Sequence, residues 1–267
     1  MSSGFWFSMA VKAVSTGAIV TLASGVAEIA GPVWGALAAS LPVSAGPTYV
    51  FLALEHDRSF VAASALGSCV ATAATMAFLT IYARLGAGNS QLRALGAAVA
   101  TWLVLALLIQ AIVWSVATAV MLNLAAFAGC LRLVRRVDTG AQVGAAGARR
   151  WYDFPVRAVA VGLFVPAIVV TSAAAGPAAT GVAAMFPIVF SSLILVLHGR
   201  IGGLACAALA ATGLRAMGGF SLMLLVLHLA VVPLGPAIAM LLALMTTLAW
   251  SGGMLLRRRQ AYLRPAG

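Results

Sequence analysis

The sequence predicts an all-α integral membrane protein of about nine transmembrane helices in two structural repeats. Two observations carry that expectation. Of 267 residues, 63% are hydrophobic and 8% charged, whereas a soluble domain carries about 25% charged residues. The chain also repeats itself 145 positions on: Gly31-Pro32 with Pro42 recurs as Gly176-Pro177 with Pro187. A lone cation stands 19 residues before each Gly-Pro, Lys12 in one case and Arg157 in the other. Between residues 11–43 and 156–188, 11 of 33 aligned positions are identical, against about three or four expected by chance in so apolar a chain.

The apolar runs are continuous rather than alternating, which excludes a β-barrel. Candidate spans are 9–29, 33–54, 59–83, 94–111, 113–131, 157–175, 178–197, 201–229 and 234–256. The first reads as a span rather than a removable signal, because Lys12 lies inside it and the stretch is copied at 156–175. The stretch 92–131 decides the count. As one helix it would be about 60 Å long, twice the hydrocarbon thickness, so it divides into two spans turning near Gln110–Trp114. The resulting units are a four-helix repeat over 1–112, a connecting helix and basic linker over 113–156, and a second four-helix repeat with a basic tail over 157–267.

The net charge of +11 concentrates at span ends, where anionic headgroups and topology account for it without nucleic acid. Arg132, Arg135, Arg136, Arg149, Arg150 and Arg157 crowd the linker against Asp138 and Asp153, and Arg257, Arg258, Arg259 and Arg264 occupy the tail. The positive-inside rule makes both cytoplasmic. Counting back five spans then places the N-terminus and 55–58 outside and Arg84 and Arg93 inside. The two repeats are therefore expected to be inverted, with the fifth span as the reversing helix, in a bacterial inner membrane.

The candidate site follows from the prolines. Pro32 and Pro177 suit a first helical turn, and Pro42 and Pro187 lie about 15 Å deeper, near the bilayer midplane. An interior proline frees carbonyls one turn earlier, and Gly46-Pro47 reads as a second interruption in the first repeat. Ser44, Thr48, Tyr49, Ser191 and Ser192 gather at that depth. With Pro42, Pro187 and Arg215 they form the expected substrate-binding set. Proline kinks used only for packing, with hydroxyls capping freed carbonyls, are the plainer alternative. Glu28 and His228 are the candidate coupling residues, against capping and satisfied structural roles. Lys12 and Arg157 are candidate anion or lipid contacts, against simple snorkelling. The loops His56-Asp57-Arg58 and His198-Gly199-Arg200 form another matched pair, with turn and gating roles both open.

Cys69, Cys130 and Cys206 lie in apolar surroundings without metal-ligand spacing, so neither metal nor disulfide is expected. No HExxH, nucleophile elbow, phosphate loop or paired intramembrane aspartates occur, and five acids in all leave little for enzymatic chemistry. No cofactor is implied. The stretch GVAAMFP at 181–187, running on to His198, resembles the GlpM-type family of bacterial inner-membrane proteins. Arg157, Gly181, Phe186, Pro187 and His198 match its pattern. Lys12, Gly35 or Ala36, Pro42 and His56 match it in the first repeat, with Leu41 in place of Phe. The resemblance implies a fused double copy of a four-span unit and no particular substrate.

The expected function is a secondary transporter or flippase for an anionic solute or lipid-linked phosphate, working by alternating access at a midplane site. The alternative is a non-transporting membrane subunit that scaffolds an envelope-polysaccharide or enzyme complex. The expected partners are the bilayer and the small anionic or lipid-linked substrate, with a homodimer left open. The topology is checked by single cysteines at Asp57 and Gly199 in a chain lacking Cys69, Cys130 and Cys206. An impermeant thiol reagent outside intact cells should label position 57 and spare 199. Labelling of both or neither would mean parallel repeats.

Overall fold

The computed structural model describes residues 7, 9–19, 22, 44–137 and 153–263. Every element among them is helical: α1 (Met9–Ile19), α2 (Ala45–Glu55), α3 (Arg58–Leu85), α4 (Gln91–Gln110), α5 (Val116–Leu133), α6 (Asp153–Ala175), α7 (Pro177–Ala184), α8 (Ile188–Leu234) and α9 (Pro236–Leu263). Six stretches are long and apolar enough to cross a membrane, with Pro177–Leu234 counted as one. This is the build of a multi-pass helical membrane protein.

The forty-residue apolar stretch divides where sequence places the turn. α4 ends at Gln110 and α5 begins at Val116. Ser115 and Thr118 exchange side-chain-to-backbone hydrogen bonds of 3.2 and 3.0 Å, a reciprocal cap. The Trp114 indole donates to the Ile109 carbonyl at 2.9 Å and closes the turn. At the start of α3, the Asp57 carboxylate accepts the Phe60 N–H at 2.7 Å, an N-cap of the usual kind.

In the second half, helices follow one another through single glycines. The Gly176 N–H donates to the Ser172 carbonyl while its own carbonyl accepts from the Thr180 N–H, both at 3.0 Å. One residue thus ends α6 and starts α7. Gly235 does the same between Val231 and Ala239, at 3.1 Å on each side. Both hold φ near +80°, a region open to glycine and costly for residues with a Cβ, and Pro177 and Pro236 follow in the first helical position. Gly202, φ 82°, breaks α8 into limbs 188–201 and 203–234.

Two details of the second spans differ in kind. The span expected over 178–197 is interrupted at Met185–Pro187, between α7 and α8, as an interior proline requires. At Gly46-Pro47 the described chain begins a helix, and the residues just before Ser44 lie outside the described residues. Both residues fall in the first turn of α2, where backbone N–H groups have no intrahelical acceptor and proline loses nothing. Pro42 and Glu28 lie outside the described residues.

α3 is the central helix: 78% of its most apolar window is buried, against 17% for α5, most of whose side chains face outward. α3 runs antiparallel to the second limb of α8 along its whole length. Arg58 Nη1 reaches the Val232 carbonyl at 3.4 Å, and His228 Nδ1 lies 2.8 Å from the Ala62 carbonyl. Cys69 Sγ reaches the Ser221 carbonyl at 3.7 Å, and Gly203 meets the Gly86 carbonyl. The paired numbers total 290, 290, 290 and 289, the register of one uninterrupted antiparallel contact. α7 runs parallel to α3, with Ala178 at Gly67, Gly181 at Ser64 and Ser68, and Met185 at Thr75.

Small residues permit these approaches. A Cβ on Gly181 would overlap the Ser64 carbonyl, and one on Gly67 would lie 2.7 Å from the Ala178 carbonyl. α1 and α6 cross where Gly17 faces Ala158 and Gly162 faces Ala13, residues that occupy equivalent places in the two sequence repeats. Trp250 of α9 fills the space over Gly218 and Gly219. Charges separate by end: Lys12, Glu55, Asp57 and Arg58 share one end with the close of α8, while Arg84, Arg93, Arg132, Arg200 and Arg257 sit at helix ends of the other.

Gly181→Ala should lower thermal stability in detergent by about 1–3 kcal/mol, the cost of overpacking a tight contact. Gly96 is exposed on α4, with open space where a Cβ would stand. Gly96→Ala should be neutral or stabilising by up to about 1 kcal/mol. Equal midpoints for the two variants would contradict the close α3–α7 packing.

Candidate functional site at the broken helix

The interruption at Met185–Pro187 leaves carbonyls without helical partners, and neighbouring helices satisfy them. Thr75 Oγ1 donates to the Met185 carbonyl at 3.0 Å and accepts from the Trp102 indole at 3.2 Å. One turn earlier, Ser68 Oγ donates to the Gly181 carbonyl at 2.6 Å and accepts from the Tyr49 hydroxyl, also at 2.6 Å. Phe186 stands edge-on to Trp102, ring centroids 5.1 Å apart, and packs against Phe164 at 6.0 Å. α2 and α7 are thus joined through α3, and the break is enclosed by α3, α4 and α6.

Of the residues expected to bind substrate, Tyr49 and Pro187 belong to this centre. Thr48 is buried but turns its hydroxyl back to the Ser44 carbonyl at 2.8 Å, at the start of α2. Ser192 likewise bonds the Val189 carbonyl at 3.0 Å. Ser191 is buried and its hydroxyl has no hydrogen-bond partner among the described residues, as is true of Ser64 on α3. Arg215 lies about 18 Å along its limb from Gly203; Nη1 reaches the Ala211 carbonyl at 3.1 Å, and its own carbonyl accepts from the Trp250 indole at 3.2 Å. None of these contacts joins Arg215 to Tyr49 or Ser191.

The candidate coupling residue His228 hydrogen-bonds the Ala62 carbonyl and ties α8 to α3. Lys12, expected at an anion or a lipid phosphate, forms an ion pair with Glu55 at the end of α2. Only the backbone of Arg157 is described, in the first turns of α6. Beyond the spans, Asp57 has its pKa lowered, first by the Phe60 N–H and then by the Ser59 hydroxyl.

Sequence reasoning missed Ser68, Thr75, Trp102 and Asn123. Ser64, Ser68, Thr72 and Thr75 form a stripe at helical spacing within one apolar span, and such a stripe marks the face that meets other helices. Asn123 is a lone amide in another span. It donates to the Cys69 carbonyl at 2.8 Å and accepts from the Ser221 hydroxyl at 2.8 Å, binding α5, α3 and α8 together.

A cleft of about 260 Å³ opens elsewhere, at Gly176-Pro177, between Gly67, Gln110, Trp114 and Val182. Among the described residues no three His, Cys, Asp or Glu side chains gather to hold a metal. The fold and centre are those of a helical membrane protein whose polar groups lie between helices. No family model, curated protein or solved structure matches this chain.

Ser68→Ala removes the bridge between the Tyr49 hydroxyl and the Gly181 carbonyl and leaves both buried. A loss of about 1–3 kcal/mol in unfolding free energy is expected. Tyr49→Phe should recover part of that loss in the double variant, because it removes one stranded group; strictly additive losses would mean the relay does not exist.

Proposed function

We propose that this chain is a bacterial inner-membrane secondary transporter or flippase of nine crossings, built as two inverted repeats and carrying an anionic solute or a lipid-linked phosphate. The observation that carries this reading is the register of the central helix pair. α3 and the second limb of α8 are the third helices of the two sequence repeats. They pair antiparallel at numbers of constant sum, 290, while the repeats are offset by 145. Equivalent helices that run in opposite directions about a shared midpoint, near Thr72 and Met217, are what a two-fold axis in the membrane plane produces. Repeats related in that way support alternating access in secondary transporters.

Three further features support it. The second span of the second repeat is discontinuous at Pro187, a form common at transporter substrate sites. Ser191, four residues beyond, has a buried hydroxyl without a hydrogen-bond partner among the described residues. The arginine-rich end and the positive-inside rule together orient the C-terminus to the cytoplasm. The sequence sets Lys12, Arg157 and Arg215 against Glu28 within the spans, an excess of cations that favours an anion.

A second reading draws on a different observation. The break is enclosed by Thr75, Trp102 and Phe164, the arrangement a non-transporting scaffold subunit would use to stiffen a kink. Flux separates the two. Proteoliposomes under an imposed proton or sodium gradient should take up radiolabelled inorganic phosphate or flip a fluorescent phosphatidylglycerol. Arg215→Gln should reduce that rate at least about tenfold, the worth of one charge-assisted contact, with its unfolding midpoint unchanged. No movement of either probe would favour the scaffold.

A further inference from the structure

The matched histidine loops are not used by the centre described above. His56 follows α2, the described end of the first repeat's second span, and His198 closes the first limb of α8, at the same place in the second repeat. Each crosses to a hydroxyl of the other repeat at the same distance. His56 Nε2 lies 2.6 Å from Ser172 Oγ on α6, and His198 Nδ1 lies 2.6 Å from the Tyr82 hydroxyl on α3.

The two contacts stand at opposite ends of the molecule. His56 is at the end where Arg58 meets Val232, and His198 is where Gly203 meets Gly86. Their settings are built rather than incidental. The Ser172 hydroxyl gives its single hydrogen to the Val169 carbonyl at 2.6 Å, leaving a lone pair for His56 Nε2–H. The His56 ring stacks on Phe60, centroids 3.8 Å apart and planes within 8°. His198 packs against Gly203, beside the bend at Gly202, so its bond to Tyr82 sets the position of the joint between the two limbs of α8.

We propose that His56 and His198 are paired latches, one at each membrane face, each holding the two repeats closed at its own end and each released when that end opens. The proposal rests on the inverted-repeat reading. One latch at each end, in the matched loops, is what an alternating cycle needs, because only one end opens at a time. A hydrogen bond of this kind is strong enough to bias the two states and weak enough to break in every cycle.

The test uses the full chain in membranes, with Cys69, Cys130 and Cys206 replaced by Ala and one reporter cysteine at a time. Thr180→Cys reports the His56 end and Ser192→Cys the His198 end; both positions are buried. An impermeant maleimide is applied to the His56 face or, in membranes of opposite orientation, to the His198 face. His56→Ala and the milder Ser172→Ala should each raise the labelling rate at position 180 about fivefold, the shift expected on losing one hydrogen bond. Neither should raise it at 192. His198→Ala and Tyr82→Phe should do the reverse.

Equal increases at both reporters from either histidine variant would show a packing role and overturn the latches, as would no increase from any of the four. Opposite-face labelling of cysteines at 57 and 199 is scored in the same membranes. If that holds while the latch variants do nothing, the latches fail and the inverted-repeat reading stands. If 57 and 199 label from one face, the reading itself fails, and the latch proposal with it.

Discussion

The rest of the structure depends on how closely α3 can be approached. Lipid is as apolar as leucine, so helices in a bilayer gain little from hiding apolar surface from one another; they associate through close contact and hydrogen bonds. α3 meets α7 at Gly67 and Gly181 and meets α8 at Gly86 and Gly203, backbone against backbone. Only at such separations can Ser68 and Thr75 reach carbonyls on a neighbouring helix. Larger side chains at these glycines would separate the helices and sever both the packing and the polar links.

Those links explain how a broken helix survives inside an apolar body. An unsatisfied carbonyl there costs several kcal/mol by order of magnitude, and the interruption before Pro187 creates such groups. α3 supplies hydroxyls to them, and α2 and α4 supply Tyr49 and Trp102 to those hydroxyls in turn. Asn123 plays a similar part for the outer helix α5, whose mostly lipid-facing surface offers few other ties. The same groups that stabilise the kink also couple the two halves of the chain, so a movement of α7 is felt by α2 through one serine. That coupling is useful to a transporter and harmless to a scaffold.

The charged groups tell a parallel story at the two ends. Lys12, Glu55, Asp57 and Arg58 gather near the close of α8, where Lys12 pairs with Glu55 and Arg58 with a helix-terminal carbonyl. The opposite end carries arginines on α3, α4, α5, α8 and α9, and Lys12–Glu55 is the ion pair found among the described residues. A bilayer with anionic headgroups on one side holds such a molecule in one orientation.

The amino-acid sequence alone determined the class, most of the helix boundaries and the turn at Gln110–Trp114, because these depend on local quantities: hydropathy, helix length against bilayer thickness, and proline or glycine at an end. It also exposed the repeat and the discontinuity at Pro187, since a missing N–H acts wherever proline stands. Tertiary structure alone decided which polar groups meet. Nothing local says that Ser68 bonds Gly181, 113 positions away, or that Lys12 pairs with Glu55 rather than facing lipid. The contribution of Asn123 was likewise hidden, because an isolated amide has no spacing to read. Partners of that kind are set by which helices lie side by side, and in a membrane that choice rests on small-residue contacts spread over distant segments of the chain.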